Sequence, residues 1–261
     1  MNILSLGAGV QSSTLALMAA KGEIGPMPDA AIFADTGWEP RKVMEYLDWL
    51  ETQLPFPVYR VMHKDGLLNQ IKRGGRVASV PYFTANGGMG RRQCTREYKI
   101  EPVQRKQREL LGYAPRKRIP PGSVTTWIGI SMDEAIRMKP SFHAWILHRW
   151  PLIELNMTRW HCLEWMEKNG YPQPPKSSCL GCPYHSDRQW VEIKNGDPLE
   201  WMETVEMDRF IRRRGMEAGM VEEQFMHRKL KPLDQIDFSI IENQPDMWEG
   251  FGNECEGMCG V

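Results

Sequence analysis

The chain has 261 residues, with 33 basic and 33 acidic side chains, 41% hydrophobic and 10% aromatic residues. Such a composition has ample length for a buried core and excludes collagen, long coiled coil and general disorder. A net charge of zero argues against a protein that coats nucleic acid through a global positive field, because that binding scales with the phosphates neutralised. No apolar run approaches the roughly 20 residues of a membrane-spanning helix, and the Met1–Gly7 start lacks the features of a signal peptide, so a soluble, cytoplasmic protein without a membrane partner is expected.

Met1 to Leu6 is short and apolar, and is followed at once by Gly7-Ala8-Gly9-Val10-Gln11-Ser12-Ser13-Thr14 and the helix-favouring Leu15 to Ala20. This reads as strand, glycine loop, helix. Ala30 to Ala34 predicts a second strand ending in Asp35-Thr36-Gly37, with an amphipathic helix after it on Val43, Tyr46, Leu47 and Leu50; Val58 to Val61 predicts a third strand. Strands alternating with helices imply right-handed crossovers and a mainly parallel sheet covered on both faces. Arg73 to Arg92 holds five glycines and little periodicity, and reads as a mobile loop over a site rather than core. Glu101 to Leu111 predicts a charged helix, Val124 to Ile130 a buried strand, and Thr158 to Asn169 a helix opened by a capping residue. From Tyr171 the prolines and a C-x-x-C argue for an ordered irregular segment, after which Trp190 to Gly215 is helical. The simplest organisation is an α/β nucleotide-binding domain over 1–170, with a cysteine-bearing helical and loop subregion over 171–261 packed on it.

In a parallel sheet, ligands gather at the carboxyl ends of the strands. Three loops qualify here. Gly7 to Thr14 offers small residues that let backbone N–H groups approach an anion, three hydroxyls and the positive end of a helix dipole, although a tight strand-to-helix turn needs the same glycines without any ligand. It is neither G-x-G-x-x-G nor G-x-x-x-x-G-K-[ST], which weighs against ordinary dehydrogenase and kinase chemistry. Asp35-Thr36-Gly37 supplies an acceptor, and Gly129 to Glu134 adds a loop with two carboxylates; either Asp35 or Asp133 could instead cap the helix that follows.

Taken in order, Ser5-Leu6-Gly7-Ala8-Gly9-Val10-Gln11-Ser12, Asp35-Thr36-Gly37, Cys94 to Pro102 with its K-x-E-P, Gly129 to Arg137 and Pro151-Leu152-Ile153 with the downstream cysteines resemble the phosphoadenosine phosphosulfate (PAPS) reductase family. That family lies in the adenine-nucleotide hydrolase-like (PP-loop, HUP) superfamily. The resemblance spans about residues 3 to 190. It implies an HUP-type, Rossmann-like α/β fold binding an adenine nucleotide, ATP or one of the sulfonucleotides APS and PAPS. The phosphates would lie at Gly7, Gly9, Gln11, Ser12 and Ser13, with Ser5 and Gly129 beside them, Asp35 near the nucleoside, and Lys99 and Arg137 near negative charge. The chain departs from the S-G-G-x-D-S of ATP-cleaving members. Gln11 stands where they carry aspartate, which removes one possible Mg²⁺ contact and weighs against ATP hydrolysis while leaving anion binding intact; Ser131 stands where many relatives carry arginine.

Cys179-Leu180-Gly181-Cys182-Pro183 is a metal-type turn, since two intervening residues let both thiolates point at one centre. A thioredoxin-like redox pair is the competing reading, but such pairs sit at a strand-to-helix junction. Arg91, Arg92 and Arg96 surround Cys94, a setting that favours thiolate, so three cysteines are expected to converge. By the resemblance, cluster-bearing reductases use a Cys-Cys pair plus a C-x-x-C, and Cys94-Thr95 stands at the pair. A [4Fe–4S] cluster would then be held by Cys94, Cys179, Cys182 and a fourth ligand such as Cys255, or by three cysteines with one iron open; zinc is the alternative. Cys162, inside a predicted helix, reads as a small core residue, and His185 as an exposed loop histidine or a partner of sulfur or metal. Reductases of this family carry a nucleophilic cysteine in a C-terminal E-C-G, which Cys259-Gly260 resembles; Cys255 and Cys259 could also supply a metal ligand or a regulatory disulfide.

The first expectation is therefore a sulfur-handling enzyme in which Cys259 attacks an activated sulfate. The departing nucleotide would be stabilised by Gln11, Ser12, Lys99 and Arg137, with a thioredoxin-like reductant or a sulfur donor as partner. The second is an ATP-pyrophosphatase-type sulfurtransferase that adenylates and thiolates a nucleic acid. Arg116-Lys117-Arg118 and Arg212-Arg213-Arg214 would touch phosphates, although short basic runs are ordinarily solvated faces. The third is a nucleotide- and metal-binding module without catalysis.

Overall fold

Continuous apolar runs in short strands need a covering layer on each side, and the chain supplies both. The computed structural model describes residues 1–73, 80–217 and 222–239. Its elements run β1 (Asn2–Leu6), α1 (Val10–Ala20), β2 (Ala30–Asp35), α2 (Arg41–Gln53), β3 (Val58–Met62), α3 (Gly66–Arg73) and β4 (Phe83–Thr84). Then follow α4 (Glu101–Leu110), β5 (Val124–Ile128), β6 (Ile146–Arg149), α5 (Pro151–Glu154), α6 (Arg159–Lys168), α7 (Asp187–Asn195), α8 (Pro198–Glu217) and β7 (Gln224–Phe225). One five-stranded sheet has the order β3-β2-β1-β5-β6, with every neighbouring pair parallel.

Leu4 and Leu6 of β1, Ala31 and Phe33 of β2 and Trp127 of β5 share a core with Leu15 of α1, Leu47 of α2 and Met166 of α6. Ile3, Ala30, Ile32, Ala34 and Val124 turn the other way and meet Val103 of α4. This is the mainly parallel, Rossmann-like α/β architecture that the sequence predicts. Cys162 is fully buried in the first core, as expected of a small apolar side chain. Capping boxes at Thr158 and Ser186 start α6 and α7. Among the described residues no helix is long and apolar enough to cross a membrane.

The stretch before Arg92 departs from expectation. In its described part, Val80 and Tyr82 are buried, and Phe83–Thr84 pairs antiparallel with β7. The glycines mark irregular backbone, but the apolar side chains between them are drawn into a second core. That core unites Trp38, Leu67, Tyr82 and Tyr98 with Leu180, Trp190, Met226 and Phe238. The helix expected over Trp190 to Gly215 is two helices. They part at Gly196, whose position has room for no more than a hydrogen, since a Cβ would lie 2.9 Å from the Glu192 carbonyl oxygen.

Candidate functional site

The glycine loop leaves β1 as a tight cradle. Gly7 N–H donates to Ser12 Oγ (3.2 Å), and Ser12 Oγ donates to the Gly9 carbonyl (3.4 Å). Ala8 adopts φ 56°, the left-handed region that favours glycine. Gly9 precedes α1 and offers no side-chain cap. Gly129 lies beneath, where a Cβ would stand 2.9 Å from both Ser12 N and Ser12 Cα. Its glycine is accounted for by the close approach of the β5 end to α1. Ser5 is buried in β1.

Residues Gly7 to Ser13 are all buried, and Gln11 is the centre of a polar network. Its Nε2 donates to Ser131 Oγ (3.3 Å) and to Glu134 Oε2 (3.2 Å), while its Oε1 accepts from Arg159 Nη1 (3.1 Å). Arg137 pairs with Glu134. Asp133 caps a helix, but not the one directly after it: its carboxylate accepts from Arg159 N–H at the start of α6 (3.0 Å). Arg159 thus brings a guanidinium to Gln11, beside Ser131.

Strands β1 and β2 pair with Leu6 opposite Phe33, so the Asp35-Thr36-Gly37 turn leaves the sheet beside the cradle. Asp35 Oδ1 accepts from Gly37 N–H (2.7 Å) and shapes its own turn. Thr36 points toward the cysteines: its hydroxyl donates to Glu39 Oε1 (2.8 Å) and lies 3.1 Å from Cys179 Sγ. One cavity is lined by Thr36, Arg92, Cys94, Lys99, Cys179 and Cys182. Lys99, expected near negative charge, is buried on this wall, within a π-helical turn over Thr95–Ile100 that continues into α4. Of the arginines around Cys94, Arg92 lines the cavity, donates to Thr95 Oγ1 (3.0 Å) and stacks on the Tyr184 ring, whereas Arg96 is exposed and pairs with Glu101.

Burial pushes the Cys179 thiol well above the ordinary range, and the Glu39 carboxylate adds to it, against the opposing influences of Lys99 and the Thr36 hydrogen bond. The Tyr82 hydroxyl is buried without a hydrogen-bond partner among the described residues. It too is pushed up, first by burial and then by Cys94, Cys182 and Cys179, whose sulfurs it adjoins. His185 is buried rather than exposed; its Nε2 donates to the Cys179 carbonyl (2.9 Å) and burial lowers it to about 4.

Thiol donors suit a soft metal or an iron–sulfur centre. Among the described residues, however, no group of three or more His, Cys, Asp or Glu stands together as a metal-holding set. The thiols share a wall without enclosing an ion. Cys255 and Cys259 lie outside the described residues. Arg212 is tied to buried Asp208 (3.2 Å), which accounts for it structurally. Thr36, Trp38, Glu39, Tyr82 and Arg159 are site residues the sequence reading did not single out.

No family model and no curated protein matches the chain by sequence. Among solved structures, it is similar to the crystal structure of phosphoadenylyl-sulfate (PAPS) reductase from Candida auris in a phosphate complex. The TM-score is 0.47 and the identity 15%, over 66% of this chain and 74% of that one.

Proposed function

We propose that the chain is a sulfur-handling enzyme that binds an adenine nucleotide in the Gly7–Ser13 cradle and works on sulfur with cysteine thiols. The observation that carries this reading is the cavity shared by Cys94, Cys179, Cys182 and buried Lys99, which reaches Thr36 at the end of β2. A C-x-x-C that served only to brace the fold would have no need of a third thiol and an ammonium on the same wall.

The reaction is reduction of an adenylated sulfonucleotide. A cysteine thiolate attacks the sulfur, the S–O bond to the adenylate breaks, and AMP or its phosphorylated form leaves with the electron pair. A thiolate of a thioredoxin-like reductant then displaces sulfite from the cysteine S-sulfonate as a disulfide forms. Cradle N–H groups, Arg137 and Arg159 would stabilise the leaving phosphate. Cys94, Cys179 and Cys182 are the residues that would hold an iron–sulfur cluster, or zinc.

Anaerobic purification followed by an absorption spectrum and iron, sulfide and zinc analysis tests the metal assignment. Sulfite release from APS or PAPS with thioredoxin tests the reaction; no release from either at high enzyme concentration overturns it. Sulfur transfer to an ATP-activated nucleic acid is the second reading, favoured by a three-thiol wall that is assembled without the tail cysteines. Pyrophosphate release from ATP in the presence of candidate nucleic acids separates the two.

A further inference from the structure

The C-x-x-C turn is held by one short stretch of chain. Thr36 Oγ1 lies against Cys179 Sγ at 3.1 Å, and Leu180 N–H donates to the Trp38 carbonyl at 2.9 Å. Between the cysteines, Gly181 presses on the Trp38 indole. A Cβ on Gly181 would lie 2.0 Å from Cη2, 2.3 Å from Cζ3 and 2.8 Å from Cζ2, all atoms of the benzo ring. Gly181 is not among the glycines with positive φ. Its backbone conformation is therefore open to other residues, and the ring is what requires a glycine.

Trp38 is itself fixed. It is 3% exposed, and the turn before it is wedged at Gly37, where a Cβ would meet Gly66 Cα at 3.0 Å. Leu67 N–H donates to the Thr36 carbonyl at 2.6 Å. The stretch from Thr36 to Trp38 is thus clamped by the start of α3 on one side and carries the cysteine turn on the other.

We infer that Trp38 is the positioning residue of the thiol site: its benzo ring fills the place of a side chain at Gly181 and so sets the separation of Cys179 and Cys182. The inference rests on the reading that these thiols are working groups. Its test concerns thiol spacing alone, without nucleotide or turnover.

The probe is phenylarsine oxide, a trivalent arsenical that closes on two thiols only when they stand within bridging distance. It is titrated on the full chain, and protection of Cys179 and Cys182 from alkylation is read by mass spectrometry, with Cys162 as internal control. The wild type is expected to close one arsenical on the pair. Gly181→Ala overpacks the ring contact and weakens closure about tenfold, and adding Trp38→Phe, which withdraws the benzo ring, restores most of it. Trp38→Phe alone, in a chain with unchanged circular dichroism, should raise the alkylation rates of Cys179 and Cys182 but not that of Cys162. Unchanged closure in Gly181→Ala overturns the inference, as does a double variant no better than the single one. Should Gly181→Ala fail to fold, unchanged alkylation in Trp38→Phe overturns it by itself. Failure of sulfite release leaves this result standing, and failure here leaves the nucleotide cradle standing.

Discussion

Thr36 and Cys179, 143 residues apart in sequence, meet at 3.1 Å, and Glu39 accepts from both at 2.8 and 3.6 Å. Burial and the Glu39 charge keep the thiol protonated, whereas the Thr36 hydrogen bond favours the thiolate. Alkylation of Cys179 should therefore rise only above the ordinary cysteine range. Glu39→Gln removes a negative neighbour and should move the profile to lower pH; Thr36→Val removes the one hydroxyl able to turn from Glu39 to the thiolate and should move it to higher pH. Iodoacetamide labelling across pH, read peptide by peptide, measures both. Two shifts of the same sign would contradict the arrangement.

Gly129 tests the cradle from below. A Cβ there meets the backbone of Ser12 at 2.9 Å, with no flexible side chain to give way. Gly129→Ala should cost about 1–3 kcal/mol in denaturant unfolding, typical of forced overpacking. Because the strain falls on the first turn of α1, AMP affinity should fall as well, measured by calorimetry at a temperature where the variant is folded. A loss of stability with unaltered AMP binding would separate the cradle from the nucleotide.

The strands and their loops were legible because short continuous apolar runs, glycine turns and the order of motifs are local signals. Both faces of these runs are buried, Leu4, Leu6, Ala31 and Phe33 in one core and Ile3, Ala30, Ile32 and Ala34 in the other. Thr36, Trp38 and Arg159 were not legible as site residues. Their partners, Cys179, Gly181 and Gln11, lie more than 140 residues away, and no spacing rule links them. The glycine-rich stretch before Arg92 misled because Val80 and Tyr82 share a core with residues distant in sequence, Trp38 before them and Leu180 and Trp190 far beyond.

Arg159 carries the third prediction, since its guanidinium reaches Gln11 in the cradle. A charge-assisted hydrogen bond to phosphate contributes about 1.5–3 kcal/mol, so Arg159→Ala should weaken AMP or PAPS binding by roughly tenfold to a hundredfold. Arg159→Lys should recover only part, because an ammonium cannot offer the forked guanidinium geometry. Unaltered affinity in both would make Arg159 a clamp on Gln11 and nothing more.

His185 gives the acid limit of the thiol region. Its ring is buried, donates to the Cys179 carbonyl and packs edge-on against Trp190 at 4.7 Å. Burial lowers its pKa from 6.5 to about 4. Between those values the unfolded chain binds a proton that the folded chain refuses, so this stability is complete above pH 6.5 and is lost as pH falls toward 4. The full effect is on the order of 3 kcal/mol at one pKa unit per 1.36 kcal/mol. His185→Gln keeps a donor near the Cys179 carbonyl but has no proton to gain. Chemical denaturation of both chains at pH 7 and at about pH 4.5 should show the wild type losing more stability than the variant. Equal losses would place the acid sensitivity elsewhere, in another buried histidine such as His227, whose pKa burial also lowers.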